Sequence, residues 1–233
     1  TKIIPGEDEI NKYEALYLDR LLITQAPAIA LGNAKKELVH LASYAIQSLE
    51  ASYAFFAKGD EKYFDKVEKY ETAVNSIDEE LTTYLIDISN ESLSVSENEV
   101  LASVLDSVRD LERIGDLAFA SANLSQHIHN KGIEFSETAK AELGDVYNRT
   151  HRIVLDSIRV VVDDDKVLAG QVILRHEELK KLEKQLRKIH TKRLNNGECT
   201  AQAGINYVDY LSHYTRIADH AINLVEKVTE GVI

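Results

Sequence analysis

The stretch Val67-Glu68-Lys69-Tyr70-Glu71-Thr72-Ala73-Val74-Asn75-Ser76-Ile77-Asp78-Glu79-Glu80-Leu81-Thr82-Thr83-Tyr84-Leu85-Ile86-Asp87-Ile88 decides the fold. Val67, Tyr70, Val74, Ile77, Leu81, Tyr84 and Ile88 follow one another at alternating steps of three and four. That period belongs to a helix with one apolar stripe packed on other helices, whereas a strand would repeat every second residue. The acidic run Asp78-Glu79-Glu80 between stripe positions reads as the solvated face of this helix.

Outward from it, the same grammar fills the chain. Only 10 glycines and 2 prolines occur in 233 residues, so long uninterrupted helices are expected and a many-turned β fold is excluded. Upstream, a helix from about Pro27 to Phe56 carries Leu38, Leu41, Ala45, Leu49 and Phe56, with proline at its first turn. Gly59-Asp60 separates it from the opening stretch, and Asp60 is a natural cap. Downstream, Ser96 with Glu99 has capping-box spacing. The helix it would open carries the seam Val104, Val108, Leu111, Gly115, Ala118 and Ala122 and stops at Gly132. A fourth segment covers about Ser136 to Val162. A fifth covers about Asp165 to Asn195, with Leu168, Val172, Arg175, Leu179, Leu182, Leu186 and Ile189 in register. Gly197 ends it, and Thr200 caps a sixth with Val208, Leu211, Tyr214, Ala218, Ala221 and Val225. Before all six lies a mixed lead-in, where Glu14 to Ile23 forms a short helix or a strap.

Two pairs of segments repeat. Phe55-Phe56-Ala57-Lys58-Gly59-Asp60 corresponds to Val161-Val162-Asp163-Asp164-Asp165. Glu112-Arg113-Ile114-Gly115-Asp116-Leu117-Ala118 corresponds to Thr215-Arg216-Ile217-Ala218-Asp219-His220-Ala221. A unit of about a hundred residues has therefore been duplicated. The expected fold is all-α: two tandem three-helix bundles, six long helices in all. A lead-in at 1–25 precedes a first repeat at 26–132 and a second at 133–233.

Bulk composition limits function. The net charge of −12 disfavours nucleic acid and anionic membrane surfaces as partners. Cys199 is the single cysteine, so no internal disulfide exists and a reducing compartment fits. No run of about 18 apolar residues could span a bilayer, and the opening residues do not read as a secretory signal. Neither a nucleophile elbow, nor a phosphate-cradling glycine loop, nor a HExxH motif occurs, so no enzymatic activity is expected.

The duplicated signatures carry the chemistry. Glu112 and Asp116 lie four apart and stack on one face of a helix. Small Gly115 and Ala118 beside them admit a close neighbour. Carboxylates at such a contact need a cationic partner, either Arg109 and Arg113 or a metal ion bound through oxygen. In the second copy Asp219 and Arg216 persist, while Thr215 replaces the glutamate.

The sequences Glu112–Ala118 and Thr215-Arg216-Ile217-Ala218-Asp219-His220-Ala221-Ile222-Asn223-Leu224-Val225-Glu226 resemble the paired signatures of PhoU-like phosphate-regulation domains. Tyr17-Leu18-Asp19-Arg20-Leu21-Leu22, with Pro27-Ala28-Ile29-Ala30-Leu31 and Lys36-Glu37-Leu38, resembles the linker joining the membrane part of bacterial sodium/phosphate cotransporter proteins to their PhoU-like tail. The resemblance spans about residues 15 to 230. It implies a regulatory, non-enzymatic domain modulating phosphate uptake at the cytoplasmic face of the inner membrane. Its partner would be a membrane-spanning transporter part of the same polypeptide, together with a second copy in a homodimer, and no nucleic acid. The alternative is a free-standing metal-binding phosphate-signalling regulator.

Some members of the family hold metal clusters on Glu/Asp-x-x-x-Asp motifs. Carried over position by position, Glu71, Glu112, Asp116 and Asp219 become the candidate ligands of a divalent or iron cation. Arg109, Arg113 and Arg216 become the structural ion-pair residues. Asn75 departs from the motif after Glu71. His176 and Lys180 occupy the corresponding places in the second copy, with Lys180 putting an ammonium where the family has an acid.

Other candidates read more plainly. Glu37-x-x-His40 has the spacing of ferritin-like di-metal sites but lacks its second copy. Asp163-Asp164-Asp165 reads as a turn with a helix cap, and Cys199 sits without a partner base. Tyr53, Tyr63 and Tyr210 are expected to rim an interface.

Overall fold

The computed structural model describes residues 14–229. Residues 1–13 of the expected lead-in, and 230–233 of the expected second repeat, lie outside the described residues.

The fold is all-α, with two tandem three-helix bundles. Short α1 (Leu21–Gln25) precedes the first repeat, formed by α2 (Pro27–Lys58), α3 (Glu61–Ser89) and α4 (Val95–Lys131). The second comprises α5 (Glu137–Asp163), α6 (Lys166–Asn195) and α7 (Ala201–Thr229). Helix α2 packs on α3 and α4, as α5 packs on α6 and α7. The repeats join through α4 against α7 and α2 against α5, leaving α3 and α6 as outer helices that do not meet.

Local chemistry sets the helix ends. Gly59 at φ +66° accepts the left-handed turn after α2, and a Cβ there would sit 3.0 Å from the His129 ring. Asp60 caps α3, and Asp165 accepts from the amides of Val167 and Leu168 to open α6. The capping box of α4 is Ser94 with Glu97, two residues before the Ser96/Glu99 expectation. Both pairs satisfy the same motif, and the earlier start adds half a turn of backbone hydrogen bonds to α4.

The α3 stripe is buried as its period requires, except that Tyr70 stays half-exposed. The α6 seam drifts. Arg175 is half-exposed and Ile189 is 40% exposed, while His190 is buried beside Ile189. A helix turns every 3.6 residues, so a 3.5-residue register loses the buried face over a 30-residue helix.

Aromatic and polar groups knit the repeats together. Tyr53 of α2 stacks on Tyr147 of α5 at 3.7 Å between ring centroids. Tyr210, expected at a rim, is fully buried, and its hydroxyl lies 2.6 Å from Ser125 Oγ. Tyr63 sits under Lys58, which donates to its hydroxyl. The densest polar contact is Asp110 of α4, which accepts from His220 Nδ1 (3.0 Å), Asn223 Nδ2 (2.8 Å) and Lys227 Nζ (3.2 Å) of α7. Burial pushes the Asp110 carboxyl up, but these donors outweigh it and hold it below the usual range.

The described part of the lead-in, from Glu14 on, is tied down as a strap. Glu37, fully buried, accepts from the amides of Leu16 (2.7 Å) and Tyr17 (2.8 Å) with one oxygen and faces His40 Nδ1 (2.6 Å) with the other. Both oxygens are engaged in fastening the chain, which is the opposite of a di-metal ligand.

Candidate functional site

Helices α3 and α4 approach closely where Gly115 removes a side chain. A Cβ on Gly115 would lie 3.2 Å from Val74 and 3.7 Å from Glu71 Oε2. This contact draws the carboxylates of the two helices into one group. Glu71 and Asp78, one heptad apart on α3, face Glu112 and Asp116, one turn apart on α4. Glu71 Oε1 accepts from Asn75 Nδ2 at 3.3 Å, but Glu71 Oε2 is buried without a hydrogen-bond partner.

One cation serves the group directly. Arg113 Nη1 donates to Asp116 Oδ2 at 2.9 Å, and its Nε lies 3.5 Å from Glu112. Arg109, expected beside it, is exposed and reaches Asp106 on its own helix at 3.7 Å. It still acts at longer range on Asp78, whose carboxyl burial pushes up. Negative charge is therefore in excess. Burial, then repulsion from Asp116, raises Glu112 to about 7. Burial, then Asp116, also raises Glu71. Asp78, read from the sequence as solvated, belongs to this group. Its seven-residue spacing from Glu71 was the available signal.

The second repeat answers the same geometry differently. Asp219 Oδ1 accepts from His176 Nε2 at 2.7 Å and lies 3.5 Å from Lys180 Nζ. The expected ligand Asp219 is thus neutralised inside the chain. Arg216 is exposed and has no ion-pair partner among the described residues, so its expected structural role is not seen.

The donor set of the first repeat is all oxygen, which suits a hard cation. The orphaned Glu71 Oε2 is the atom such an ion would satisfy. Among the described residues no three His, Cys, Asp or Glu side chains already converge as a ligand set. Arg113 holds the carboxylates in an ion-paired arrangement.

A tandem-repeat helical bundle with an acidic contact in its first repeat is thus the class of protein defined by fold and site. The PhoU domain matches residues 38–124 and 143–228, one match per repeat, and the chain belongs to that family. The phosphate-specific transport system accessory protein PhoU homolog 1 of Thermotoga maritima is 31% identical over 128 residues. The match spans about half of each protein, 55% of this chain and 54% of that one. PhoU from Pseudomonas aeruginosa shares the fold at a TM-score of 0.78 and 19% identity, over 89% of this chain and 99% of that one. The phosphate transport system regulatory protein PhoU of Streptococcus pneumoniae follows at 0.77 and 16%, over 87% and 95%.

These relatives correct one expectation. The predicted partner, a membrane-spanning transporter part of the same polypeptide, is overturned. The fold accounts for 99% of the Pseudomonas chain, and the relatives are PhoU proteins in their own right. No described helix is long and apolar enough to cross a membrane. The lead-in's likeness to a cotransporter linker does not indicate a fused transporter.

Proposed function

We propose that this chain is a non-enzymatic regulator of phosphate transport that works in the cytoplasm in the manner of free-standing PhoU proteins. We further propose that Glu71, Glu112 and Asp116 hold a divalent or iron cation in its first repeat. The family match in both repeats supports the regulatory reading, as does a relative named for a phosphate-specific transport system. The buried, donorless Glu71 Oε2 within an over-acidic helix contact carries the cation reading. A bound cation would take over the neutralisation now left to Arg113 and supply charge to a contact that has too little of it. Asp219, already paired with His176 and Lys180, stays outside the site.

Three measurements test the proposal. Elemental analysis of protein purified without chelators should find the ion, and the Glu71→Gln/Glu112→Gln double variant should lose it. A melting temperature indifferent to added Mg²⁺, Mn²⁺ and Fe²⁺ in the wild-type chain would remove the cation reading. In a bacterial host lacking its own PhoU, the wild-type chain should restore phosphate-dependent control of uptake. Failure there, with the protein folded and abundant, would remove the regulatory reading.

A further inference from the structure

Asp156 on α5 is 2% exposed, and three guanidiniums surround it. Arg152 Nε donates to its Oδ2 at 2.6 Å, and Arg175 Nη1, from α6, donates to the same oxygen at 2.5 Å. Arg159 Nη1 stands 3.5 Å from Oδ1. Arg152, Asp156 and Arg159 follow at steps of four and three, so they share one face of α5, and Arg175 closes the group across the helix pair.

One carboxylate cannot balance three guanidiniums. Two positive charges are left over in a chain whose net charge is −12. The surplus is turned outward, since Arg152 and Arg159 are 60% and 63% exposed while the anchoring carboxylate is buried. It is also rich in unused donors. Arg175 Nη2 reaches Gln171 at 3.3 Å, but both Nη groups of Arg152 and every N–H of Arg159 lack a hydrogen-bond partner among the described residues. The setting reinforces the charge. Helix α6 carries nine lysines and arginines against three glutamates.

Exposed surface ion pairs are ordinarily one cation to one anion and contribute little. Here a buried carboxylate instead anchors two guanidiniums, Arg152 and Arg175, by hydrogen bonds to one oxygen, with a third, Arg159, 3.5 Å from the other. Guanidiniums gathered round one carboxylate with N–H groups still unpaired match tetrahedral oxyanions, which accept several donors at once. We propose that Arg152, Arg159 and Arg175, anchored by Asp156, form a binding site for a phosphate-type oxyanion, either free or as a phosphoryl group on a lipid. Asp156 positions the arginines and does not touch the ligand. The site lies in the second repeat, apart from the acidic contact of the first, and stands whether or not that contact binds a cation.

The test uses the full chain. Inorganic phosphate is titrated calorimetrically at constant ionic strength into the wild type, Arg152→Gln/Arg159→Gln, and Lys188→Gln/Lys192→Gln, which removes the same two charges from exposed positions of α6. In parallel, each protein is sedimented with vesicles of phosphatidylcholine alone or mixed with phosphatidic acid. Saturable phosphate binding, weakened tenfold or more only in the double arginine variant, assigns the site to the free anion. Sedimentation with phosphatidic acid that the same variant abolishes, without response to free phosphate, assigns it to a lipid phosphoryl group. Binding in neither assay, or equal losses in the double lysine and double arginine variants, overturns the proposal. Arg175 still holds Asp156 in the double variant, and circular dichroism confirms its fold before the comparison.

Discussion

Glu112→Gln is expected to stabilise the protein at alkaline pH and leave it unchanged at acid pH. The folded chain holds the Glu112 proton up to about pH 7, whereas the unfolded chain releases it near 4.5. A group raised on folding contributes stability that is complete below 4.5 and lost as the pH climbs through 7. Fully expressed, that difference corresponds to about 3 kcal/mol. The Glu112 side chain is 25% exposed and its Arg113 partner 57%. Solvent screening at such a site roughly halves the effect, to about 1–2 kcal/mol. Glutamine imitates the protonated form at every pH and keeps the shape, while Arg113 retains Asp116 at 2.9 Å. For a chain of this size the gain at pH 8.5 translates to about 3–6 °C in melting temperature. Calorimetric melts of both proteins at pH 4.5 and 8.5 measure it directly. An equal shift at the two pH values, or a loss at pH 8.5, would refute a Glu112 carboxyl raised by folding at the α3–α4 contact.

Two other perturbations probe the frame around the site. Asp110→Ala removes the acceptor of three α7 donors and leaves Lys227 with Ser107 alone. It should cost about 2–3 kcal/mol and lower the melting point by roughly 5–10 °C. Because the Asp110 carboxyl is depressed on folding, its contribution is present above 3.8 and lost as the pH falls through its lower folded value. The gap between variant and wild type should therefore narrow below pH 4. Glu37→Ala should release the strap, so hydrogen exchange at the Leu16 and Tyr17 amides should rise to that of open chain while the buried face of α4 stays protected. Unchanged protection would show that the strap is held elsewhere.

The sequence makes legible what one helix decides alone. The α3 stripe and the stops at Gly59, Gly132 and Gly197 need only local spacing and turn chemistry. So does the stacking of Glu112 on Asp116. Features that join helices were harder to read. The burial of His190 in place of Ile189 depends on where α7 lies, since Gly204 of that helix makes room for the imidazole. Asp78 looked solvated because two acids follow it, and only the approach permitted by Gly115 brings it toward α4. Arg175 looked like a seam residue by register, but its role comes from Asp156 on the neighbouring helix. The Arg152, Asp156 and Arg159 spacing was visible, yet it conveys little until the third arginine is in place.

The two repeats show how one duplicated scaffold divides its tasks through charge. At corresponding places the first carries Glu71, Asn75, Glu112 and Asp116, and the second His176, Lys180, Thr215 and Asp219. The second copy supplies its own cation: the lysine and histidine sit on the aspartate, and nothing further is needed to neutralise it. The first has four carboxylates with Arg113 alone in direct contact, and there burial, reinforced by the charge of Asp116, holds a proton on Glu112 to about pH 7. A contact that needs an outside charge responds to whatever supplies it, whereas one that is internally balanced does not. Introducing the second repeat's solution into the first, by Asn75→Lys, should therefore lower the Glu112 pKa part of the way toward its ordinary range and reduce, without abolishing, the alkaline gain of Glu112→Gln. If that gain is undiminished beside the new lysine, unbalanced charge has no part in raising Glu112 and burial alone governs it.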